Sequence, residues 1–127
     1  MLIGGSIGAV TRFQLSTWVN QIGQVKSIFP FGTLTVNLIG CFLAGLVWGI
    51  STETTMKPET RIFLLTGFMG GFTTFSSYAL ESYNLLANGE VRKAVLNIFA
   101  NNICGLLLVF AGIILARFVS KTLRGGV

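Results

Sequence analysis

The residues that could act on a ligand are uncharged hydrogen-bonding side chains set in an apolar chain. Asn37 lies in LTVNLIGCFLAG, Thr73, Thr74, Ser76 and Ser77 lie in GFMGGFTTFSSYALE (residues 67–81), and Asn97, Asn101 and Asn102 lie in NIFANNICGLLLVFAG. Ordinary hydrolase or ATPase chemistry has no parts here: there is no histidine to act as a base, and no GxxxxGK[ST] loop to cradle a phosphate. Cys41 and Cys104 have no CxxC spacing, so a disulfide, zinc or haem site is not expected and small apolar packing is their expected role. What remains open is helix packing, interhelical hydrogen bonding or the noncovalent handling of a solute. Hydroxyl and amide donors can replace part of a hydration shell. Phe68, Phe72, Phe75 and Tyr78 recur at helical spacing, which predicts one face of rings. Such a stripe usually serves lipid contact or core packing, though rings turned edge-on could line an anion path with their positive edges.

These residues need elements to carry them. The chain has 127 residues, a mean hydropathy of +0.76, 9 Lys+Arg and 4 Asp+Glu, which indicates one membrane-embedded domain. Residues 32–50, 62–80 and 94–116 contain no charged side chain. Each is long enough, at a rise of about 1.5 Å per residue, to cross a hydrocarbon core of roughly 30 Å. The first segment, LIGGSIGAVTRFQLSTWVNQI, carries Arg12 in its middle but has neither the charged start nor the cleavage site of a signal peptide, so it reads as a retained span. The expectation is four spans at about 2–22, 32–50, 61–86 and 94–117, with both termini on one side. Lys57, Arg61, Arg117, Lys121 and Arg124 fall on that side and Lys26, Arg92 and Lys93 on the other, a bias weak enough for insertion in both directions. The net charge of +5 is scattered over loops and ends, which argues against nucleic acid. Trp18, Trp48, Phe29 and Phe31 read as interfacial anchors.

Pairs of small residues, Gly4 and Gly8, Gly40 and Ala44, Gly45 and Gly49, Gly67 and Gly71, predict close helix contacts and oligomerisation. Intramembrane polar groups cost free energy unless they face a partner or water. Asn37 is therefore either interhelical glue or a pore-lining amide, and the asparagines of the fourth span are either a wet entrance or glue. Arg12 either snorkels to a polar surface or faces a vestibule where it concentrates anions. Glu81 is the only acid near a span interior.

The third span reads as a broken helix, because Gly70 and Gly71 form helix poorly and the following Thr and Ser side chains can satisfy backbone groups locally. In lipid such a break survives only where protein or water covers it. It offers carbonyls that suit a cation at the end of one half-helix and amides that suit an anion at the start of the next.

GGSIGAVTRF (residues 4–13), FGTLTVNLIG (31–40) and GFMGGFTTFSSYALE resemble, in order and over nearly the whole chain, the Fluc family of microbial fluoride channels. The resemblance implies an all-α integral membrane protein of the cell (inner) membrane, with four transmembrane helices and a break in the third. It also implies an antiparallel, dual-topology homodimer in membrane lipid that exports fluoride passively. A structural sodium ion at the dimer centre would take backbone carbonyls of Gly70 and Thr73. Asn37 would be the pore amide and Phe75 and Tyr78 the rings beside fluoride, with Thr33, Thr74, Ser76, Ser77 and Glu81 as a polar wall and Arg12 in the vestibule. Two departures stand out: Tyr78 occupies a place where the family usually has phenylalanine, and the fourth span runs LLLVFAG after Gly105, which leaves Asn102 as its contributor.

A small dual-topology organic-cation antiporter fits the length and span number equally well. It needs a titrating carboxylate inside the bundle, and Glu81 lies near the end of its uncharged run. A purely structural subunit would explain the glycines but not the clustered hydroxyls and rings.

Overall fold

In the computed structural model, residues 1–22 and 28–126 are described; Lys26, counted above among the basic residues, lies outside them. The described chain is helical and forms four rods. The first is α1 (Leu2–Ile22) and the second α2 (Phe31–Glu53). The third is built in pieces: α3 (Pro58–Ile62), a wide π-helical stretch Phe63–Met69, α4 (Gly70–Phe72), and α5 (Phe75–Ala87) beyond a two-residue gap. The fourth runs from α6 (Val91–Phe99) through a second wide turn, Ala100–Cys104, into α7 (Gly105–Gly125).

Local chemistry sets the ends. The Asn20 side chain of α1 accepts a hydrogen bond from the Gly32 N–H at 3.0 Å, satisfying one of the unpaired donors at the start of α2. Thr54 turns extended after Glu53, and Pro58 then opens α3, where its missing N–H costs nothing. Between α5 and α6, Gly89 takes a φ of +75°, a left-handed conformation that a side chain would resist.

The packing is inside out by the standards of a protein in water. Glycines face the helix contacts: a Cβ on Gly45 would lie 2.2 Å from the Val109 carbonyl oxygen, and one on Gly112 would lie 2.4 Å from that of Phe42, so α2 and α7 touch backbone to backbone. Gly8 does the same for α1 against the third rod, 2.2 Å from the Phe68 carbonyl oxygen. Large apolar side chains such as Leu2, Phe13, Ile114 and Phe118 point outward. Close approach of backbones drives association in lipid, where burying another leucine gains nothing.

Two rods, Phe31–Glu53 and the 35-residue Val91–Gly125, are long and apolar enough to cross a membrane by length and composition. In α1, Arg12, Gln14, Asn20 and Gln21 lower the hydropathy, and the third rod is divided by its break.

Candidate functional site

The break in the third rod is two residues long. Thr73 (φ −82°, ψ 156°) and Thr74 (φ −146°, ψ 114°) are extended, and helix resumes at Phe75. Asn37 of α2 bridges this gap. Its Oδ1 accepts from the Thr74 N–H at 2.9 Å and its Nδ2 donates to the Thr74 carbonyl at 3.1 Å, the pair of bonds a neighbouring strand would supply. Thr74 then caps α5: its Oγ1 accepts from the Ser77 N–H at 3.2 Å and donates to the Ser77 Oγ at 3.0 Å. Thr73 folds back, its N–H and Oγ1 both donating to the Met69 carbonyl at 2.9 Å.

This arrangement selects two carbonyls. In an unbroken helix the Gly70 carbonyl would accept from the Thr74 N–H, and the Thr73 carbonyl from the Ser77 N–H. Both donors are diverted, one to Asn37 and the other to the Thr74 hydroxyl. The two oxygens lose their helical partners where Gly70 is exposed and where a Cβ would meet nothing within 4 Å.

Asn37 is the end of a line of amides. Its Nδ2 also donates to the Asn101 Oδ1 at 2.9 Å; Asn101 donates to the carbonyl and the side-chain oxygen of Asn97 at 2.9 and 3.0 Å; and Asn97, fully buried, donates to the Ser82 Oγ at 2.9 Å. Ser82 donates in turn to the Tyr78 carbonyl at 2.8 Å. The wide turn at Ala100–Cys104 carries two adjacent asparagines with different tasks: Asn101 serves Asn37, and Asn102 donates to the Tyr78 hydroxyl at 2.9 Å. Sequence reasoning singled out Asn97 and Asn101 as polar but gave Ser82 no role. The available signal was the i, i+4 pairing of Tyr78 with Ser82 and of Asn97 with Asn101.

The rings do not form the single face expected from their spacing. Phe68 and Phe72 stack at 5.6 Å with planes 12° apart, whereas Phe75 and Tyr78 meet edge to face at 5.3 Å and 67°. Helical periodicity does not carry across two extended residues, so Phe72 is buried beside Gly40 while Phe75 is 76% exposed.

A cavity of about 200 Å³ lies at the break. Its walls are Asn37 and Cys41 of α2, Thr73 and Thr74, Phe75 and Tyr78 of α5, and Asn101 and Asn102 of the wide turn. No formal charge lines it. Thr33 and Glu81 form a separate pair, the Thr33 hydroxyl donating to Glu81 Oε1 at 2.7 Å, and Glu81 faces another cavity of about 230 Å³ with Ile28, Asn84 and Asn88. The other Glu81 oxygen is buried without a hydrogen bond from any described residue. Ser76 is exposed and Ser77 is held by Thr74, and neither lines the central cavity. Arg12 is half-buried on α1 and makes no ion pair among the described residues. Among the described residues no three His, Cys, Asp or Glu side chains group as a metal site, so the oxygens on offer to a cation here are those of the backbone, hydroxyls and side-chain amides.

Fold and site define a small all-helical protein with an apolar exterior and an uncharged, hydrogen-bonding cavity at a helix break. Residues 1–113 match the family described as CrcB-like protein, Camphor Resistance (CrcB), and the chain belongs to it. It is 49% identical over 124 residues to the fluoride-specific ion channel FluC of Parabacteroides distasonis, which covers 98% of this chain and 95% of that relative. Its identity to the FluC of Thermus thermophilus is 46%, over 87% of this chain and 85% of the relative, and to that of Pyrococcus furiosus 45%, over 92% and 93%. The likeness first read from three motifs extends over nearly the whole chain. These relatives are channels and not enzymes, and a membrane protein is what the family implies.

Proposed function

We propose that this chain is a fluoride-specific ion channel that lets the anion leave the cell passively, down its electrochemical gradient. The observation that carries the reading is the central cavity, walled by amides, hydroxyls and an edge-to-face ring pair with no fixed charge. A small anion holds its hydration shell tightly, so a pore must offer replacement donors, and a full positive charge would trap it. Asn37, Phe75 and Tyr78 stand nearest the ion in this reading, with Thr74 and Asn102 beside them. Thr33 and Glu81, together with Ser76 and Ser77, would act elsewhere along the route, and Arg12 at its mouth.

The working unit is a multi-pass, antiparallel homodimer in the cell membrane. Supporting this, the break leaves Gly70 and Phe75 outward, and backbone at membrane depth needs cover. The weak basic bias would allow the two copies to insert oppositely. A structural sodium ion at the centre fits the residues present: it is a hard cation that takes oxygen ligands, and the Gly70 and Thr73 carbonyls have lost their helical donors. When bound, the ion would supply positive charge to hold those carbonyls from both copies together.

Liposomes loaded with fluoride or with chloride, each releasing its anion through purified protein, test the reading. Fluoride efflux with little chloride efflux is expected; equal passage of both, or of neither, sinks it. The antiporter alternative gains no support, since Glu81 is bonded to Thr33 outside the central cavity.

A further inference from the structure

We propose that Tyr78 presents its phenolic O–H to the permeating anion as the main hydrogen-bond donor of the central cavity, with Asn102 holding the hydroxyl in that role; this deepens the fluoride-channel reading and rests on it.

The argument is an accounting of donors. Asn37 has two side-chain N–H groups, which go to the Thr74 carbonyl and the Asn101 Oδ1. Both of those on Asn101 go to Asn97, and the Thr73 and Thr74 hydroxyls go to the Met69 carbonyl and the Ser77 Oγ. Asn102 divides its two between the Ile98 carbonyl at 2.8 Å and the Tyr78 oxygen at 2.9 Å. Each amide and aliphatic hydroxyl on the wall is therefore already committed as a donor.

The phenol differs. Its oxygen accepts from Asn102, and an amide nitrogen cannot accept in return, so the Tyr78 proton must point elsewhere. Among the described residues it has no hydrogen-bond acceptor. Tyr78 is 8% exposed and lines the cavity, so its unpaired donor belongs to a buried residue beside a space large enough for an ion. Donation from Asn102 also polarises the phenol and strengthens its own bond to an anion. A hydrogen bond to a full charge is roughly twice as strong as one between neutral groups.

The ring of Tyr78 also packs edge to face with Phe75, and Tyr78→Phe keeps that contact while removing only the hydroxyl. Fluoride efflux from liposomes is measured against fluoride concentration for the parent, Tyr78→Phe, Asn102→Ala and the double variant. The expected result is a rise in the half-saturating concentration of about ten-fold for Tyr78→Phe, with the saturating rate within about two-fold of the parent. Asn102→Ala should give a smaller rise, and none beyond the single change in the Tyr78→Phe background. Fluoride, but not chloride, should also red-shift the near-ultraviolet tyrosine absorption of the parent relative to Tyr78→Phe. A parent that conducts fluoride beside a Tyr78→Phe variant with the same concentration dependence and the same spectrum overturns the inference alone. A parent that passes no fluoride overturns the channel reading, and this inference with it.

Discussion

Replacing Asn37 by leucine tests whether this side chain holds the broken helix. Leucine has the same branched shape but is larger, so no cavity is opened, and the change removes three hydrogen bonds: two to Thr74 and one to Asn101. Interhelical hydrogen bonds in membranes average about 0.6 kcal/mol each, which gives about 2 kcal/mol for the three. The Thr74 N–H is then left in a buried residue with no partner, which adds about 1–3 kcal/mol of uncompensated desolvation. The expected loss is about 3–5 kcal/mol. At about 4 °C per kcal/mol for a chain of this size, the thermal midpoint should fall by about 12–20 °C. The assay is thermal unfolding of purified protein in detergent, paired with amide exchange on a peptide covering residues 70–78, where protection should drop first. A leucine carries no polar group to bury, so if Asn37 were merely a tolerated polar residue the variant would be as stable as the parent or more so. A midpoint within about 2 °C of the parent, with unchanged exchange, refutes the bridging role.

Two glycine changes should act oppositely. In Gly112→Ala the new methyl meets the Phe42 carbonyl oxygen at 2.4 Å and the Leu46 nitrogen at 2.8 Å, both backbone, so α2 and α7 must separate at a cost of about 1–3 kcal/mol, read as a lower midpoint. Gly70→Ala meets nothing within 4 Å and should stabilise the isolated chain by up to about 1 kcal/mol through helix propensity, yet lower the dimer fraction in chemical cross-linking; an unchanged fraction would remove Gly70 from any interface. Phe75→Ile should reduce fluoride flux while the dimer persists, because it removes a ring edge from the cavity wall, and undiminished flux would exclude the ring from conduction.

Much of the architecture was legible because its causes are local. Uncharged runs gave three of the rods, and two adjacent glycines followed by four hydroxyl side chains marked the third as interrupted; Gly70 and Gly71 nonetheless stay helical, and the chain turns extended just beyond them, at Thr73 and Thr74. The site was legible as a list of residue types but not as an arrangement. Periodicity put Phe68, Phe72, Phe75 and Tyr78 on one face, and it failed because two extended residues reset the helical phase between the second and third rings. Asn37 could be read equally as glue or as pore; the fold makes it both a clamp on Thr74 and a wall of the cavity, since α2 crosses the third rod at the break.

What the sequence determined alone is the solvent, the number of rods, the fact that the third is interrupted and the inventory of donors, all of which follow from composition and short-range backbone preference. Tertiary structure decided which of those donors are already satisfied. That depends on the meeting of Asn37, Asn101, Asn97 and Ser82, which are as much as 64 residues apart along the chain between Asn37 and Asn101, and a hydrogen bond is defined by the distance and direction of two groups, which sequence spacing does not encode across helices.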